Sequence, residues 1–271
     1  MNKLINKEDR IFIAGSNGMV GKALTRAFKK KNYLNLLTPS RRELDLFNFV
    51  DVHNWFLEKQ PNVVIIAAAK VGGILANSEY PFEFLIENLK IQNNLIEIAS
   101  SNKVKRLLFL GSSCIYPRDS IQPIKEEYLL NGLLEKTNES YAIAKIAGLK
   151  LCESLRFEYK FDSISVMPTN LYGPGDNYDE RTSHVLPALI RKFSLAKKFS
   201  KKNVVCWGTG TPMREFLHVD DLADACIFLL EEWNPFLDNA PTDSKGNKLN
   251  HINIGSGKEI SIENLATKIS K

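Results

Sequence analysis

The stretch RIFIAGSNGMVGKAL, residues 10–24, decides how the rest of the sequence is interpreted. A short apolar run ends in glycine, and glycine recurs twice as the following residues take up helical apolar spacing. Such glycines allow a tight turn, a close approach of backbone to a ligand, and close packing of helix on strand. The free N–H groups at the helix N-terminus attract phosphate. We therefore predict a dinucleotide pyrophosphate at Gly15, Ser16, Asn17, Gly18, Met19, Val20 and Gly21.

Apolar strands and amphipathic helices alternate along the chain around this loop. Strands are predicted at 10–15, 35–38, 62–69, 106–113 and 163–170, and helices at 19–30, 48–59, 81–100 and 140–159. The run NVVIIAAA (62–69) is apolar throughout, which is typical of a parallel strand covered on both faces. The alternation predicts an α/β fold of Rossmann type with a doubly wound parallel sheet.

The pattern becomes less regular after residue 170. We predict a strand at 203–207, a loop at 234–250 and helices at 185–198, at 220–232 with an aspartate as its N-cap, and from Ile262. His218, just before the second of these helices, is expected to be structural. We divide the chain into a nucleotide-binding domain, 1–170, and a smaller, partly interleaved substrate-binding lobe, 171–271. The segment 217–233 is expected to pack back on the first domain.

The composition limits the class of protein. The 271 residues are 44% hydrophobic and 25% charged, with a net charge of +5, as in an ordinary globular protein. No aromatic residues are interleaved with the basic clusters, so we expect no nucleic-acid partner. No apolar run reaches the roughly 18 residues that a membrane span needs, and no signal peptide opens the chain.

The four cysteines form neither a CxxC motif nor a metal-ligand spacing. We expect no metal, and a cytoplasmic protein whose thiols are free. Cys152, Cys206 and Cys226 fall on apolar faces and are predicted to lie in the core.

The residues after the second predicted strand bear on the choice of cofactor. NAD-binding sites of this fold place an acid there to bond the ribose 2′-hydroxyl, but this chain has Arg41 and Arg42. A guanidinium pairs with a 2′-phosphate, which favours NADP(H), although a solvated arginine at a strand end is the alternative. Asp45 and Leu46 are expected beneath the adenine edge. Small residues that end the next strand are expected to let the backbone pass close to the cofactor: Ala67, Ala68 and Ala69.

Tyr141 and Lys145 stand four residues apart in a predicted helix, so they share one face of it. An ammonium near a tyrosine favours the phenolate and lowers the tyrosine pKa below its usual value of about 10. Tyrosine then exchanges a proton with a carbonyl oxygen near neutral pH, and the hydroxyl of Ser112 bonds the same oxygen. We interpret the three residues as a set that supports hydride transfer between nicotinamide and a carbonyl or alcohol.

Five stretches add to the glycine loop and this set: AAAKVGGI (67–74), LGSSCIYP (110–117), PTNLYGP (168–174), SHVLPALIRKF (183–193) and WGTGTPMREFLHVDD (207–221). Together they resemble the extended short-chain dehydrogenases/reductases that act on nucleotide sugars, and within that family the GDP-L-fucose synthases. The resemblance extends over nearly the whole chain. It implies epimerisation of GDP-4-keto-6-deoxy-D-mannose at C3 and C5, followed by NADPH-dependent reduction at C4.

The resemblance also implies a role for Cys114. The 4-keto group acidifies the protons on C3 and C5, so a base removes one and an acid returns a proton to the opposite face. The resemblance implies Cys114 as base, with its pKa lowered from about 8.5, and His184 as acid. Ser112 and Tyr141 would polarise the carbonyl in both stages. The residues by themselves leave open that Cys114 is a small apolar residue at a strand end.

Further ligand contacts are also implied by the resemblance. Lys192, Trp207 and Arg214 are expected at the GDP end of the substrate. By itself the sequence also allows Trp207 to be a core aromatic of the lobe and Lys192 to be a solvated helix residue. Cofactor contacts beyond those given above are implied for Leu110, Gly111, Ser112, Ser113, Tyr141, Lys145, Pro168, Thr169, Asn170, Leu171 and His184. The helices at 81–100 and 140–159 are expected to form a homodimer interface.

Two departures from the family pattern qualify these expectations. Asn17 stands where many relatives have arginine, which leaves more of the 2′-phosphate to Arg41. Relatives continue for several tens of residues beyond the position of Lys271, so we expect an incomplete substrate lobe. A 4-epimerase or reductase of another nucleotide sugar, and a non-catalytic NADP-binding protein, remain as alternatives. A dehydratase is disfavoured because no acidic pair follows the strand-end serines.

Overall fold

The parallel sheet predicted from the sequence forms the centre of the fold. The computed structural model describes residues 3–271. Its strands are β1 (Ile11–Ala14), β2 (Leu36–Leu37), β3 (Val63–Ile66), β4 (Arg106–Leu110), β5 (Ser163–Pro168), β6 (Asn170–Tyr172), β7 (Met213–His218), β8 (His251–Ile254) and β9 (Glu259–Ser261). Its helices are α1 (Met19–Lys30), α2 (Phe49–Lys59), α3 (Ile74–Glu79), α4 (Pro81–Ser101), α5 (Glu139–Tyr159), α6 (Val185–Lys198), α7 (Val219–Glu232) and α8 (Ile262–Ser270).

Six strands form one parallel sheet in the order β2-β1-β3-β4-β5-β8. The chain passes from β1 to β2 on one side and then crosses to β3 on the other, so a crevice opens at the carboxyl ends of β1 and β3. The register places Ala14 beside Ile66 and Ile66 beside Phe109, which brings the residues after these strands together. The predicted α/β fold of Rossmann type, with a doubly wound parallel sheet, is confirmed.

Helices cover both faces of this sheet because each presents an apolar stripe to it. On one face Leu24 and Phe28 of α1 share a buried cluster with Leu222 of α7. On the other face α2, α4 and α5 bury a second cluster that includes Leu95 and Leu149. Burial on both sides explains why β3 is apolar along its whole length. Within residues 3–271 no helix is long and apolar enough to cross a lipid bilayer.

The second part of the chain builds a smaller sheet. Strand β7 pairs in parallel with β6 and antiparallel with β9, and α6 packs on α8 nearby. Two later elements return to the large sheet, since α7 packs on α1 and β8 pairs with β5. The domain division at residue 170 stays a prediction, and residues 1 and 2 of the proposed first domain lie outside the described range.

The strand predicted at 203–207 is wrong. These residues are largely exposed and have no strand conformation. A short apolar run becomes a strand only where a neighbouring strand accepts and donates its backbone hydrogen bonds. In this lobe β7 takes that place, because it lies between β6 and β9.

Three local details also differ from the expectations. The N-cap of α7 is His218 and not an aspartate, since its Nδ1 accepts the N–H of Asp220 at 3.2 Å. The strand predicted at 163–170 is interrupted at Thr169, whose N–H donates to the carbonyl of Ile254, so its two parts join different sheets. Helix α3 was not predicted, because six residues are too few to show a helical period.

A buried ionic cluster joins the amino ends of β4 and β5 to the end of α7. Arg106 has no exposed surface, and its guanidinium pairs with Asp162 and donates to the carbonyls of Leu229 and Trp233. Arg156 shares the same carboxylate at 3.4 Å. The buried guanidinium therefore depends on partners from two places distant in sequence, the residue before β5 and the end of α7.

We expect the substitution Arg106→Met to lower the free energy of unfolding by about 3 kcal/mol, because it leaves the carbonyls of Leu229 and Trp233 without this donor and Asp162 with Arg156 alone. The value is at the lower end of the usual range because Asp162 keeps 27% of its side chain exposed. Urea denaturation measures the change. Lys150→Met, which removes a surface pair with Glu153, is the control and should change stability by less than about 1 kcal/mol. Equal effects of the two substitutions would contradict the importance of the buried cluster.

Candidate active site

The glycine loop brings the ends of β1 and β3 into direct backbone contact. Gly15 has a φ of +87°, and a Cβ on it would lie 2.6 Å from the backbone nitrogen of Ala68. A Cβ on Gly21 would lie 2.2 Å from the carbonyl oxygen of Gly15, so helix α1 crosses the loop just as closely. The N-cap of α1 is Gly18, which supplies no side-chain acceptor to the first turn. Its N–H groups are therefore free to bind an anion, and the loop fits a dinucleotide pyrophosphate.

Two cations follow β2, the strand that pairs with β1. Arg41 and Arg42 are exposed just beyond β2, and the Arg41 guanidinium lies 5.2 Å from the centroid of the Phe47 ring. Asp45 accepts the N–H of Phe47 at 3.1 Å, which helps to order this turn. Leu46 is half-buried against the core. These residues fit the 2′-phosphate of NADP better than the bare 2′-hydroxyl of NAD, because a guanidinium pairs with phosphate.

Four of the predicted site residues come together at the carboxyl end of β4. Ser112 precedes a 3₁₀ turn, Ser113–Ile115, and its Oγ accepts the N–H of Cys114 at 3.4 Å. Lys145, on α5, is 3% exposed, and its Nζ donates to the carbonyl of Leu110 at 2.9 Å. The same Nζ lies 5.8 Å from the centroid of the Tyr141 ring. The arrangement places a hydroxyl, a thiol, a phenol and an ammonium group around one end of the sheet.

Other predicted cofactor residues occupy the neighbouring strand ends. Gly111 lies so close to Met167 that a Cβ would meet its sulfur at 2.2 Å. The remaining predicted cofactor contacts lie at or just after the ends of β3, β4 and β5: Ala67, Ala69, Leu110, Ser113, Pro168, Thr169, Asn170 and Leu171. The register of β3, β4 and β5 sets the ends of these strands side by side along one edge of the large sheet, while Asn170 and Leu171 belong to β6 of the smaller sheet.

Burial controls the ionisation of this cluster. It raises the pKa of Tyr141 well above the usual value near 10, with Cys114 adding to the rise and a hydrogen bond with Ser112 opposing it. It raises the pKa of Cys114 to about 11, against the opposing effects of Ser112 and Lys145. It lowers the pKa of Lys145 to about 8. The expectation of lowered tyrosine and cysteine pKa values is wrong for this structure, because lost hydration outweighs the attraction of one ammonium group.

His184 lies at the start of α6 and is its N-cap residue. Protein atoms surround much of the imidazole, although the residue keeps an exposed face, and this surrounding lowers its pKa. The nearby carboxylate of Asp176 opposes that effect. The imidazole is therefore less readily protonated than a free histidine, and Asp176 is the group that favours its cationic form.

The residues expected at the far end of the substrate are partly brought together. Lys192 lies 4.8 Å from the centroid of the Trp207 ring, and its Nζ donates to the carbonyl of Val205 at 3.1 Å. Trp207 is 74% exposed, so the alternative that it is a core aromatic is wrong. Arg214 is exposed on β7 and donates to the carbonyl of Met213. Cys206 is exposed and not in the core, because the predicted strand around it does not form.

The polar residues that hold the loop after β3 were not predicted from the sequence. Lys70 pairs with Glu83 and Glu87 of α4, and the buried Asn88 bonds its backbone. One signal was available in the sequence. Lys70 directly follows the predicted strand 62–69, and ligands bind at the carboxyl ends of parallel strands in this fold. Its partners on α4 are distant in sequence and gave no such signal.

We predict that alkylation of Cys114 by iodoacetamide is slow at pH 7 and accelerates about tenfold per pH unit up to pH 10 or so, because only the thiolate reacts. The sign follows from a pKa raised to about 11, which leaves the thiol form dominant through this range. Mass spectrometry of the peptide that contains Cys114 measures the rate, and the exposed Cys206 in the same sample reports reagent activity. A rate that levels off below pH 9 would contradict the effect of burial.

Comparisons with known proteins agree with this geometry. A family model described as the NAD dependent epimerase/dehydratase family matches residues 11–254. GDP-L-fucose synthase 1 of Arabidopsis thaliana is 50% identical over 271 residues, which cover 100% of this chain and 80% of that protein. The GDP-L-fucose synthase of Escherichia coli (strain K12) is 49% identical over 265 residues, covering 97% and 81%.

A solved structure gives the same picture. A GDP-L-fucose synthetase from Naegleria fowleri bound to NADP has a TM-score of 0.84 and 26% identity, covering 99% of this chain and 79% of that chain. The matches with sequences and with structures include the glycine loop, the strand-end serines and the helix with Tyr141, since they span nearly all residues of this chain. The chain belongs to the NAD dependent epimerase/dehydratase family.

Proposed function

We propose that the chain converts GDP-4-keto-6-deoxy-D-mannose to GDP-L-fucose by epimerisation at C3 and C5 and reduction at C4. The observation that carries the proposal is the gathering of Ser112, Cys114, Tyr141 and Lys145 at the end of β4 in a chain 50% identical to a GDP-L-fucose synthase. A simple ketone reductase needs no thiol beside its serine. An enzyme that also inverts neighbouring carbons needs a base there.

NADP(H) is the cofactor that the residues fit. The glycine loop and the first turn of α1 would hold the pyrophosphate, and Arg41 would bind the 2′-phosphate. Bound NADPH supplies a hydride for the C4 carbonyl carbon. The chain itself binds and orients the substrate carbonyl and provides the proton for its oxygen.

In the reduction step Tyr141 donates its phenolic proton to the oxygen on C4. Its raised pKa keeps the phenol protonated at neutral pH, which is the form that this step requires. The Ser112 hydroxyl bonds the same oxygen and the ammonium group of Lys145 stabilises the phenolate that remains. The phenolate recovers its proton from solvent before the next turnover.

In the epimerisation steps Cys114, as thiolate, removes the proton from C3 or C5, and the electron pair of the C–H bond moves to the oxygen on C4. Ser112 and Tyr141 stabilise the resulting enolate by hydrogen bonds. His184, as imidazolium, returns a proton to the opposite face of the same carbon. A thiolate whose conjugate acid has a pKa near 11 is a stronger base than an ordinary cysteine, which suits a weakly acidic C–H group.

Further parts of the proposal concern the surroundings of this site. Lys192, Trp207 and Arg214 would hold the GDP end of the substrate, with Trp207 offering an exposed ring and the two cations facing phosphate. The outer faces of α4 and α5 would form a homodimer interface, supported by the exposed Ile143 and Leu151 on α5. The four free cysteines fit a reducing compartment such as the cytoplasm.

We expect Cys114→Ser to reduce GDP-L-fucose formation by about 100-fold or more, because an alcohol is a much weaker base at neutral pH. Product is measured by chromatography after incubation with NADPH and the keto sugar. Oxidation of GDP-L-fucose by NADP⁺, which needs no epimerisation, should persist. Cys206→Ser, the same change at an exposed thiol, is the control and should leave both rates unchanged. If Cys114→Ser forms product at the rate of the parent, the assigned base is wrong.

We expect Arg41→Ala to raise the KM for NADPH by about 10- to 100-fold, because a charge-assisted contact with phosphate is worth about 1.5–3 kcal/mol. The KM for NADH should stay the same, since that cofactor has no 2′-phosphate. Initial rates at varied cofactor concentration test both statements. Lys29→Ala, at the far end of α1, removes the same charge away from the loop and serves as control. A parallel rise for both cofactors would contradict a specific role for Arg41.

A further inference from the structure

We propose that the segment Ala68–Gly73, here called the spacer segment, sets the position of His184 relative to the pocket that holds the keto group, and that Gly73 is a positioning residue for epimerisation. This inference deepens the proposed function and rests on it. The spacer segment follows β3, begins beside the glycine loop and ends at the start of α3.

The first part of the spacer segment is held rigidly. Ala68 lies against the backbone of Gly15, as described above. Asn88, which is 2% exposed, accepts the N–H of Lys70 and donates to the carbonyl of Lys70, each at 3.0 Å. Its amide also donates to the carbonyl of Phe84 at 2.7 Å. One buried side chain thus fixes the loop to α4 through both polar groups of one peptide residue.

The middle of the spacer segment approaches the catalytic tyrosine through one ring. A Cβ on Gly72 would lie 3.0 Å from Cζ of Phe84. The Phe84 ring packs edge-on against Tyr141, with centroids 6.4 Å apart and planes at 84°. Gly72 therefore lies one side chain away from the phenol that holds the keto oxygen.

The end of the spacer segment touches the backbone beside His184. Gly73 donates its N–H to the carbonyl of Thr182 at 3.0 Å, and a Cβ on it would lie 2.5 Å from the carbonyl oxygen of Ser183. Asn77 keeps the two glycines in place, because its amide donates to the carbonyls of Gly72 and Gly73 at 2.7 and 3.0 Å. Gly73 has a φ of −67°, which any residue adopts, so glycine is needed here for space alone.

This geometry separates the two chemical stages. The protein groups that serve reduction, Ser112 and Tyr141, are carried by the end of β4 and by α5, and neither lies on the segment 182–184. Inversion of C3 or C5 also needs a proton from His184 on the opposite face of the ring. A side chain at Gly73 must push the backbone of Ser183, and hence His184, away from the pocket. Epimerisation should therefore be lost while hydride transfer continues.

The test is Gly73→Ala, with the two stages measured separately. Epimerisation is followed by NMR as deuterium incorporation at C3 and C5 of the keto sugar in D₂O without NADPH. The reduction machinery is followed as oxidation of GDP-L-fucose by NADP⁺. We expect exchange to fall roughly 10- to 100-fold, as for a displacement of about 1 Å of a reacting group, while the oxidation rate stays within error of the parent. Retained exchange, or an equal loss of both rates, would overturn the proposal.

Two matched variants make the result specific. Gly72→Ala places the same methyl group against the Phe84 ring, next to Tyr141, and should lower both rates by similar factors. Glu79→Gln weakens the exposed ion pair between Glu79 and Arg181, at 3.2 Å, which joins α3 to the loop before α6. It should change neither rate. A selective loss of exchange in Glu79→Gln would show that general docking of the loops, and not the close approach at Gly73, sets the position.

A second variant tests the same contact if Gly73→Ala does not fold. If Gly73→Ala does not fold, Asn77→Ala loosens the same contact without a clash, and the same selective loss of exchange is expected. Failure of the parent protein to exchange deuterium or to oxidise GDP-L-fucose would refute the proposed function itself. A parent that performs both reactions, together with an Asn77→Ala or Gly73→Ala variant that keeps its exchange rate, would refute only the role of the spacer segment.

Discussion

The backbone contact between Gly15 and Ala68 is the constraint on which the rest of the site depends. Any side chain at Gly15 would collide with the backbone that leaves β3, so the crossing exists only with glycine. The crossing turns the chain into α1 with free N–H groups at its start, which gives the anion site. It also sets where the spacer segment begins, and that segment continues to Phe84, Tyr141 and the backbone beside His184. We therefore infer that this one short segment fixes the relative positions of the cofactor loop, the Tyr141 phenol and the His184 backbone.

Burial, more than charge, determines the protonation state of the clustered groups at the end of β4. Lys145 lies close to Tyr141 and acts on Cys114, yet it is itself so buried that its pKa falls to about 8. The phenol and the thiol accordingly stay neutral. In the proposed mechanism a neutral phenol serves as the acid of the reduction, whereas the thiol would have to lose a proton before it could act as a base. Burial would thus favour the role proposed for the phenol and make the role proposed for the thiol depend on a preceding proton loss.

Two histidines are N-cap residues, but their side chains make different contacts. His218 accepts an N–H of the first turn of α7 and so satisfies a backbone donor. His184 occupies the same N-cap position on α6, but its side chain makes no cap hydrogen bond to that helix, and it lies near the carboxylate of Asp176. A motif search sees only that a histidine precedes a helix.

The sequence by itself determined the alternation of β1 to β5 with the long helices between them, the glycine loop and the helix face that carries Tyr141 and Lys145. These features follow from local apolar periodicity and from residue types with one conformational purpose. It did not predict the failure of 203–207 to form a strand, because a strand depends on a partner. Nor did it predict the raised pKa of Cys114, since burial is a property of the packed molecule. The link from Gly73 to Ser183 joins segments more than a hundred residues apart, and only the tertiary structure decided that they meet.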